Sequence, residues 1–379
     1  MPGTTLVRPL DSRAAGAGRL GAKVPPDVPW APLGQASRIP GRPSIPSMDG
    51  SPGPEPTTAV VTGATGYVGV NLVRHLQEAG WQVRTVGRRP LAGIDPSRVH
   101  HTIADVRQRS ELLPVFEGAA IVFHLAAKVT LATVDPEAWD VNVRGPAEVA
   151  AAALEAAVPR LVHCSSVQAF DLALSRRRLD ERSPRATSPD RPLYDRSKAA
   201  GEAEVRQVIQ AGLDATIVNP TGIIGPVDLG PSRINSIIDQ AARGHLPVVV
   251  QGAFDWVDVR DVVLGLVAAA ERGRTGENYL LPGHRATALH LGRLAAGLNG
   301  HLGPVLALPG GLARWVAPLG ERVGRRIHSE SFTPASIGTL LDDPLVDGSK
   351  AATELGHHPR PLEDSVRDTV RWFEGEIRH

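Results

Sequence analysis

From Thr57 onward, short apolar runs alternate with longer stretches whose apolar positions recur at helical spacing. The runs TTAVVT (57–62), QVRTVGR (82–88), HHTIAD (100–105), AAIVFHLAA (119–127), RLVHCSS (160–166) and DATIVNP (214–220) have strand length. Between them VGVNLVRHLQEAG (68–80), AWDVNVRGPAEVAAAALEAA (138–157) and YDRSKAAGEAEVRQVIQAG (194–212) read as helices, the first stopped at Gly80. Each parallel step needs a crossover, so this alternation predicts an α/β fold: a doubly wound parallel sheet of Rossmann type, covered on both faces. After Pro220 the pattern becomes irregular and predicts a smaller, mixed lobe over 223–379. Within that lobe, residues 256–275 return to a core-like pattern and are assigned to the sheet domain, 57–222. The stretch 307–326 has an apolar face and a basic end, which fits a packed helix or a weak peripheral contact with a membrane surface. The C-terminal 363–377 is a plain amphipathic helix, and no internal repeat is found.

Residues 1–56 break with this pattern. They are crowded with Pro, Gly, Ser and Arg and show no period, so they are expected to be a disordered extension. Such a segment is either dispensable, with Met48 as a later start, or a docking tail or leader. The remaining composition narrows the function classes. At 379 residues and 42% hydrophobic the chain can bury a sizeable core. Its 41 basic and 40 acidic residues give a formal charge of +1, so no whole-chain field argues for a nucleic-acid partner. The single cysteine, Cys164, excludes an internal disulfide framework, and no cysteine or histidine cluster suggests a metal. No apolar stretch reaches the roughly 18 residues a transmembrane helix needs, and the expected setting is the cytoplasm.

The first strand runs into Gly63-Ala64-Thr65-Gly66-Tyr67-Val68-Gly69 and then a helix. That order brings a pyrophosphate against a helix N-terminus, where backbone N–H groups and the helix dipole hold the anion. One glycine takes positive φ in the turn, one removes a Cβ that would block the phosphate, and one lets helix pack on sheet. Thr65 and Tyr67 join the three glycines as expected contacts of a dinucleotide. The second strand ends without the acid that would bond a ribose 2′-hydroxyl; Arg88 and Arg89 stand there instead, either as receptors for a 2′-phosphate or as solvated surface charges. NADP(H) is therefore the preferred cofactor and NAD(H) the second choice. At the end of the third strand Asp105, followed by Val106, could accept from an adenine amino group.

Tyr194 and Lys198 are four apart, hence on one helix face. A tyrosine near its ordinary pKa of about 10 is a poor base, and a nearby ammonium together with the oxidised nicotinamide is expected to lower it. The strand ending in Ser165 and Ser166 precedes this helix and places a hydroxyl at a carboxyl end of the sheet, where α/β proteins bind ligands. Ser166 is the first choice for polarising a carbonyl, Ser165 the second.

Taken together, VTGATGYVG, FHLAA, VNVRGPAEV, VHCSS, YDRSK, NPTGIIGP and DWVDVRDV resemble the extended short-chain dehydrogenase/reductase family, also called the NAD-dependent epimerase/dehydratase family, over most of Thr57 to Phe373. The closest flavour is the dihydroflavonol-reductase and 3β-hydroxysteroid-dehydrogenase-like branch. The resemblance implies a Ser166-Tyr194-Lys198 triad with Asn142 as an auxiliary. It also implies a cofactor lined by His124, Leu125, Ala126 and Ala127, with Pro220 and Ile223 at its nicotinamide end. Asp258 and Asp261 would be structural, and a homodimer is expected. Two departures matter: Ser165-Ser166-Val167-Gln168 lacks the acid of the dehydratases, and the second strand lacks the acid of the NAD-using epimerases. The leading expectation is an oxidoreductase that reduces a ketone or oxidises a secondary alcohol. An epimerase with tightly held NAD and a non-catalytic NADP-sensing regulator stand as alternatives. Substrate identity rests on the lobe, whose composition, with Trp256 and Trp315 and few carboxylates, leans toward an apolar carbonyl over a nucleotide sugar.

Overall fold

The computed structural model describes residues 57–91, 94, 99–175, 178–230, 232–304, 306–309 and 345–375. The extension 1–56, most of the stretch 307–326, and Trp315 lie outside the described residues. The first half runs β1 (Thr58–Thr62), α1 (Tyr67–Glu78), β2 (Gln82–Gly87), β3 (Val99–Ile103), α2 (Arg109–Phe116), β4 (Ile121–His124), α3 (Pro136–Glu155), β5 (Leu161–Cys164), α4 (Leu193–Gln210) and β6 (Ala215–Pro220). The second half adds β7 (Gly222–Ile224), α5 (Arg233–Ala242), β8 (Val248–Val250), β9 (Ala253–Asp258), α6 (Val259–Arg272), β10 (Asn278–Leu281), β11 (His284–Thr287), α7 (Ala288–Leu298), β12 (Leu306–Leu308), α8 (Ser349–Leu355) and α9 (Leu362–Glu374).

Seven strands form one parallel sheet in the order β3-β2-β1-β4-β5-β6-β10, the doubly wound arrangement read from the alternation. Period-two alternation divides its side chains between two cores. Val61, Phe123 and Val162 pack with Leu72 and Leu76 of α1 and Val263 and Leu266 of α6 on one face. Val60, Val122 and Leu161 pack with Leu112 and Phe116 of α2, Val149 of α3 and Val205 of α4 on the other. Each such fully buried aliphatic side chain contributes about 1.5–3 kcal/mol. The order in which successive strands are added reverses between β1 and β4, which opens the crevice at the carboxyl ends where ligands bind in such sheets.

Within the main sheet and its covering helices, two elements escaped the sequence reading. Helix α2 is two turns long and carries Pro114, so its period is short and interrupted. Strand β10, NYLL, is too brief to stand out, yet it pairs with β6 through Asn278↔Ile217 and Leu281↔Pro220 to complete the sheet. In the irregular region, β7 and β11 flank β9 in a second, mixed sheet, and β12 pairs in parallel with β8. Residues 306–308 are thus strand where the start of a helix was expected. Asp258 caps α6 and binds the buried Arg260, which also reaches Asp368 of α9; Asp261 binds Arg360. Both carboxylates are committed to arginines that fasten the C-terminal segment. Trp256 is a correction: it is buried, donates to the Ala286 carbonyl at 3.1 Å and packs on Phe254, so it belongs to the lobe's core and supplies no apolar lining to an open site. Among the described residues no helix is long and apolar enough to cross a membrane.

Helices α3 and α4 meet where Gly201 faces the carbonyl of Asn142, with no room for a Cβ. Gly201→Ala should lose about 1–3 kcal/mol through overpacking, despite alanine's better helix propensity. Urea unfolding measures this; an unchanged or raised midpoint would contradict the close contact.

Candidate active site

The turn after β1 is built by backbone contact. Gly63 has φ +73°, and a Cβ there would lie 2.6 Å from the Ala126 nitrogen, in the loop that leaves β4. A Cβ on Gly69 would collide with the Gly63 carbonyl. Gly66 is exposed and precedes α1; no side chain caps that helix, and its first turn holds no acid. Helix starts leave several N–H groups without intrahelical partners, so a bare, glycine-lined start suits a phosphate. Thr65 lies beside it, partly exposed. The Tyr67 hydroxyl donates to the Gly225 carbonyl at 2.6 Å, fastening α1 to the loop after β7; only its backbone is left for a phosphate.

The neighbouring strand ends gather at this turn. Arg88 and Arg89 follow β2 and are exposed; Arg88 is paired with Glu137 of α3 at 2.8 Å. Asp105, after β3, is gripped by Arg107 through Oδ1 and Oδ2, which holds its carboxyl below the usual range, and Val106 is buried. Leu125 and Ala126 donate their backbone N–H groups to the carbonyl and hydroxyl of Thr62, and Ala127 is exposed beyond them. Pro220 ends β6, buried, and Ile223 of β7 is partly buried.

Ser166 begins a short turn of 3₁₀ helix (Val167–Ala169) directly after β5, and Tyr194 and Lys198 lie on one face of α4. Ser166, whose hydroxyl accepts from the Gln168 N–H at 3.2 Å, stands close enough to the Tyr194 phenol to lower its pKa. Burial outweighs it, followed by Cys164 and Asp195, and the phenol sits above its ordinary value. The expected lowering by Lys198 is not found: the Lys198 Nζ donates instead to the Cys164 carbonyl at 3.2 Å, and burial lowers its own pKa. Ser165 is buried with its hydroxyl unpartnered among the described residues, whereas Ser166 is partly exposed. Of the two hydroxyls, the one beside Tyr194 is Ser166.

Three supports complete the arrangement, and of their residues the motif resemblance had named Asn142 and His124. The buried Asn142 amide accepts from the Lys128 N–H at 2.8 Å, and donates to the Lys128 carbonyl and to Ser197 Oγ, each at 3.0 Å. Ser197 in turn donates to the Tyr194 carbonyl at 2.7 Å, so Asn142 links the β4 exit to the tyrosine's own turn. Asn219 of β6 donates to the Ser166 carbonyl at 2.9 Å and to the buried Glu202 carboxylate at 2.6 Å, steadying the serine's strand end. His124 and His163 stack at 5.2 Å beneath Lys198. Burial, and then the lysine's charge, press both imidazoles toward neutrality, His124 to about 3. Each depends on residues far apart in sequence that parallel register makes neighbours, which is why Ser197, Asn219, Glu202 and His163 were not singled out.

A family model described as the NAD dependent epimerase/dehydratase family matches residues 59–281. The chain belongs to this family. It lies among the extended short-chain dehydrogenase/reductases, as the motif set implied. Sterol demethylase protein B of Methylococcus capsulatus is 35% identical over 322 residues, 83% of this chain and 98% of that one. A protein named putative dihydroflavonol 4-reductase, from Synechocystis, is 32% identical over 339 residues, 83% of this chain and 94% of its own length. Among solved structures, gox2253 is 33% identical with a TM-score of 0.72, covering 84% of this chain and 98% of that one.

Gly66→Val places a branched side chain on the exposed start of α1. It should abolish binding of nicotinamide dinucleotides in a fluorescence titration while leaving the thermal midpoint near wild type. Retained binding would remove the glycine turn from the site.

Proposed function

We propose that this protein is an NADP(H)-dependent oxidoreductase that reduces a ketone, or in reverse oxidises a secondary alcohol. The observation that carries the reading is the nearness of Ser166, after β5, to Tyr194 on the helix face that carries Lys198, at the carboxyl end of the sheet that also bears the bare glycine turn. Residues 57–222 would hold the dinucleotide, with Gly63, Thr65, Gly66, Tyr67 and Gly69 at the pyrophosphate and Arg88 and Arg89 at a 2′-phosphate. Asp105, Val106, Leu125, Ala126 and Ala127 would line the adenosine, and Pro220 and Ile223 the nicotinamide. The lobe over 223–379 would hold the substrate. The bound nicotinamide would supply the hydride for the carbonyl carbon. Ser166 donates a hydrogen bond to the carbonyl oxygen, and Tyr194 delivers its proton there. Lys198 holds the ribose hydroxyls and brings positive charge to the strand end. No acid stands in Val167-Gln168-Ala169, which argues against dehydration. For the substrate, relatives named for sterol and dihydroflavonol chemistry favour a ring-bearing, largely apolar ketone.

Tyr194→Phe should abolish turnover and spare dinucleotide affinity, whereas Lys198→Met should weaken both. Ser166→Ala should lower kcat about 10²–10³-fold, the usual loss for one oxyanion donor. Full kcat in either hydroxyl variant, measured by steady-state kinetics, would remove that residue from the chemistry.

The pH profile follows from the raised phenol. An acid must be protonated to act, and Tyr194 is held above the ordinary tyrosine value, so reduction should be flat through neutral pH and fall only in alkali. A reductive limb falling near pH 7 would show that another group donates the proton.

A further inference from the structure

The carboxylate that the end of β2 lacks is delivered by a different element. Asp135 caps α3, accepting from the Ala138 N–H at 3.0 Å, and thereby sets Glu137 in the helix's first turn. Glu137 Oε1 accepts from Arg88 Nη1 at 2.8 Å and its Oε2 from Lys128 Nζ at 2.6 Å; Lys128 also reaches Asp135 at 3.2 Å. Arg88 leaves β2 and Lys128 leaves the strand β4, and the sheet order β2-β1-β4 sets β1 between them. One carboxylate therefore joins the loops on either side of β1, at the carboxyl end from which the Gly63–Gly69 turn emerges. Both cations hold the Glu137 carboxyl below its usual range, Lys128 the more, so it is an anion at neutral pH.

A guanidinium offers the same N–H donors to a carboxylate and to a phosphate. We propose that Glu137 sets the discrimination between phosphorylated and unphosphorylated dinucleotides: a 2′-phosphate must displace its carboxylate from Arg88, whereas a bare ribose leaves the pair intact. The inference rests on the reading that Arg88 receives the 2′-phosphate. Arg88 and Glu137 are each about half exposed, and exposed ion pairs are weak, so the carboxylate competes with the phosphate without excluding it. Phosphate carries more charge than a carboxylate and wins the exchange, at reduced affinity.

The test uses the full chain and two nicotinamide-free probes, adenosine 2′,5′-bisphosphate and adenosine 5′-monophosphate, titrated calorimetrically. Because the side chain is half exposed, Glu137→Gln should leave the fold intact. It is expected to tighten the bisphosphate about two- to five-fold, the range for one exposed pair, with the monophosphate unchanged. Arg88→Ala should weaken the bisphosphate, and adding Glu137→Gln in that background should then change nothing. If Arg88→Ala weakens the bisphosphate but Glu137→Gln leaves it unchanged or weaker, Glu137 is no competitor and the inference fails while the cofactor reading stands. Equal tightening of both probes would likewise overturn it, as a general charge effect. If wild type binds both probes equally and Arg88→Ala alters neither, the cofactor reading fails and takes this inference with it.

Discussion

The structure turns on a backbone contact. Gly69 at the start of α1 rests on the Gly63 carbonyl, and Gly63 lies against the backbone that leaves β4. Any side chain at either position would pry the helix from the sheet or β1 from its neighbour's exit. The contact holds an uncapped helix start at the switch point of a parallel sheet, and the rest of the candidate site is arranged around it. Tyr67 extends this control, since its hydroxyl ties the same helix to the loop after β7.

Around that frame the electrostatics are set by burial more than by pairing. Lys198 lies against the Cys164 carbonyl above two imidazoles pressed toward neutrality, and Cys164 itself is pushed up to about 11 by burial. Buried thiols and imidazoles of this kind stay uncharged at neutral pH and add no charge of their own beside the lysine. The phenol of Tyr194 is kept protonated in the same surroundings. In the proposed chemistry, a phenol that keeps its proton is the acid that reduction of a carbonyl needs.

Much of this was legible in the sequence, for physical reasons. The six strands from β1 to β6 and the helices α1, α3 and α4 announce themselves because parallel strands are continuous apolar runs and the helices between them keep one apolar face. The glycine turn, Ser166, Tyr194 and Lys198 were found because local spacing governs their geometry. What stayed hidden depends on partners distant in the chain. Glu137 reads as an ordinary first-turn acid until α3 is laid across the strand ends. Asn142 was named by resemblance alone, its partners Lys128 and Ser197 unseen, and the Asn219 amide reads as an ordinary strand residue until register brings Ser166 beside it. Trp256 misled for the same reason: composition cannot tell a core indole from a pocket wall. Lys198 was expected to act on the phenol through sequence proximity, but its ammonium is drawn to a backbone carbonyl instead.

In the proposed reaction hydride passes to a ketone, with net consumption of the reduced nucleotide. This is tested most directly by following nicotinamide absorbance while nucleotide-stripped protein turns over NADPH with a panel of polycyclic and flavonoid ketones. Absorbance should fall in proportion to the alcohol formed. Nicotinamide that cannot be stripped, with sugar-nucleotide epimers interconverted and no net change in absorbance, would contradict the proposed reaction.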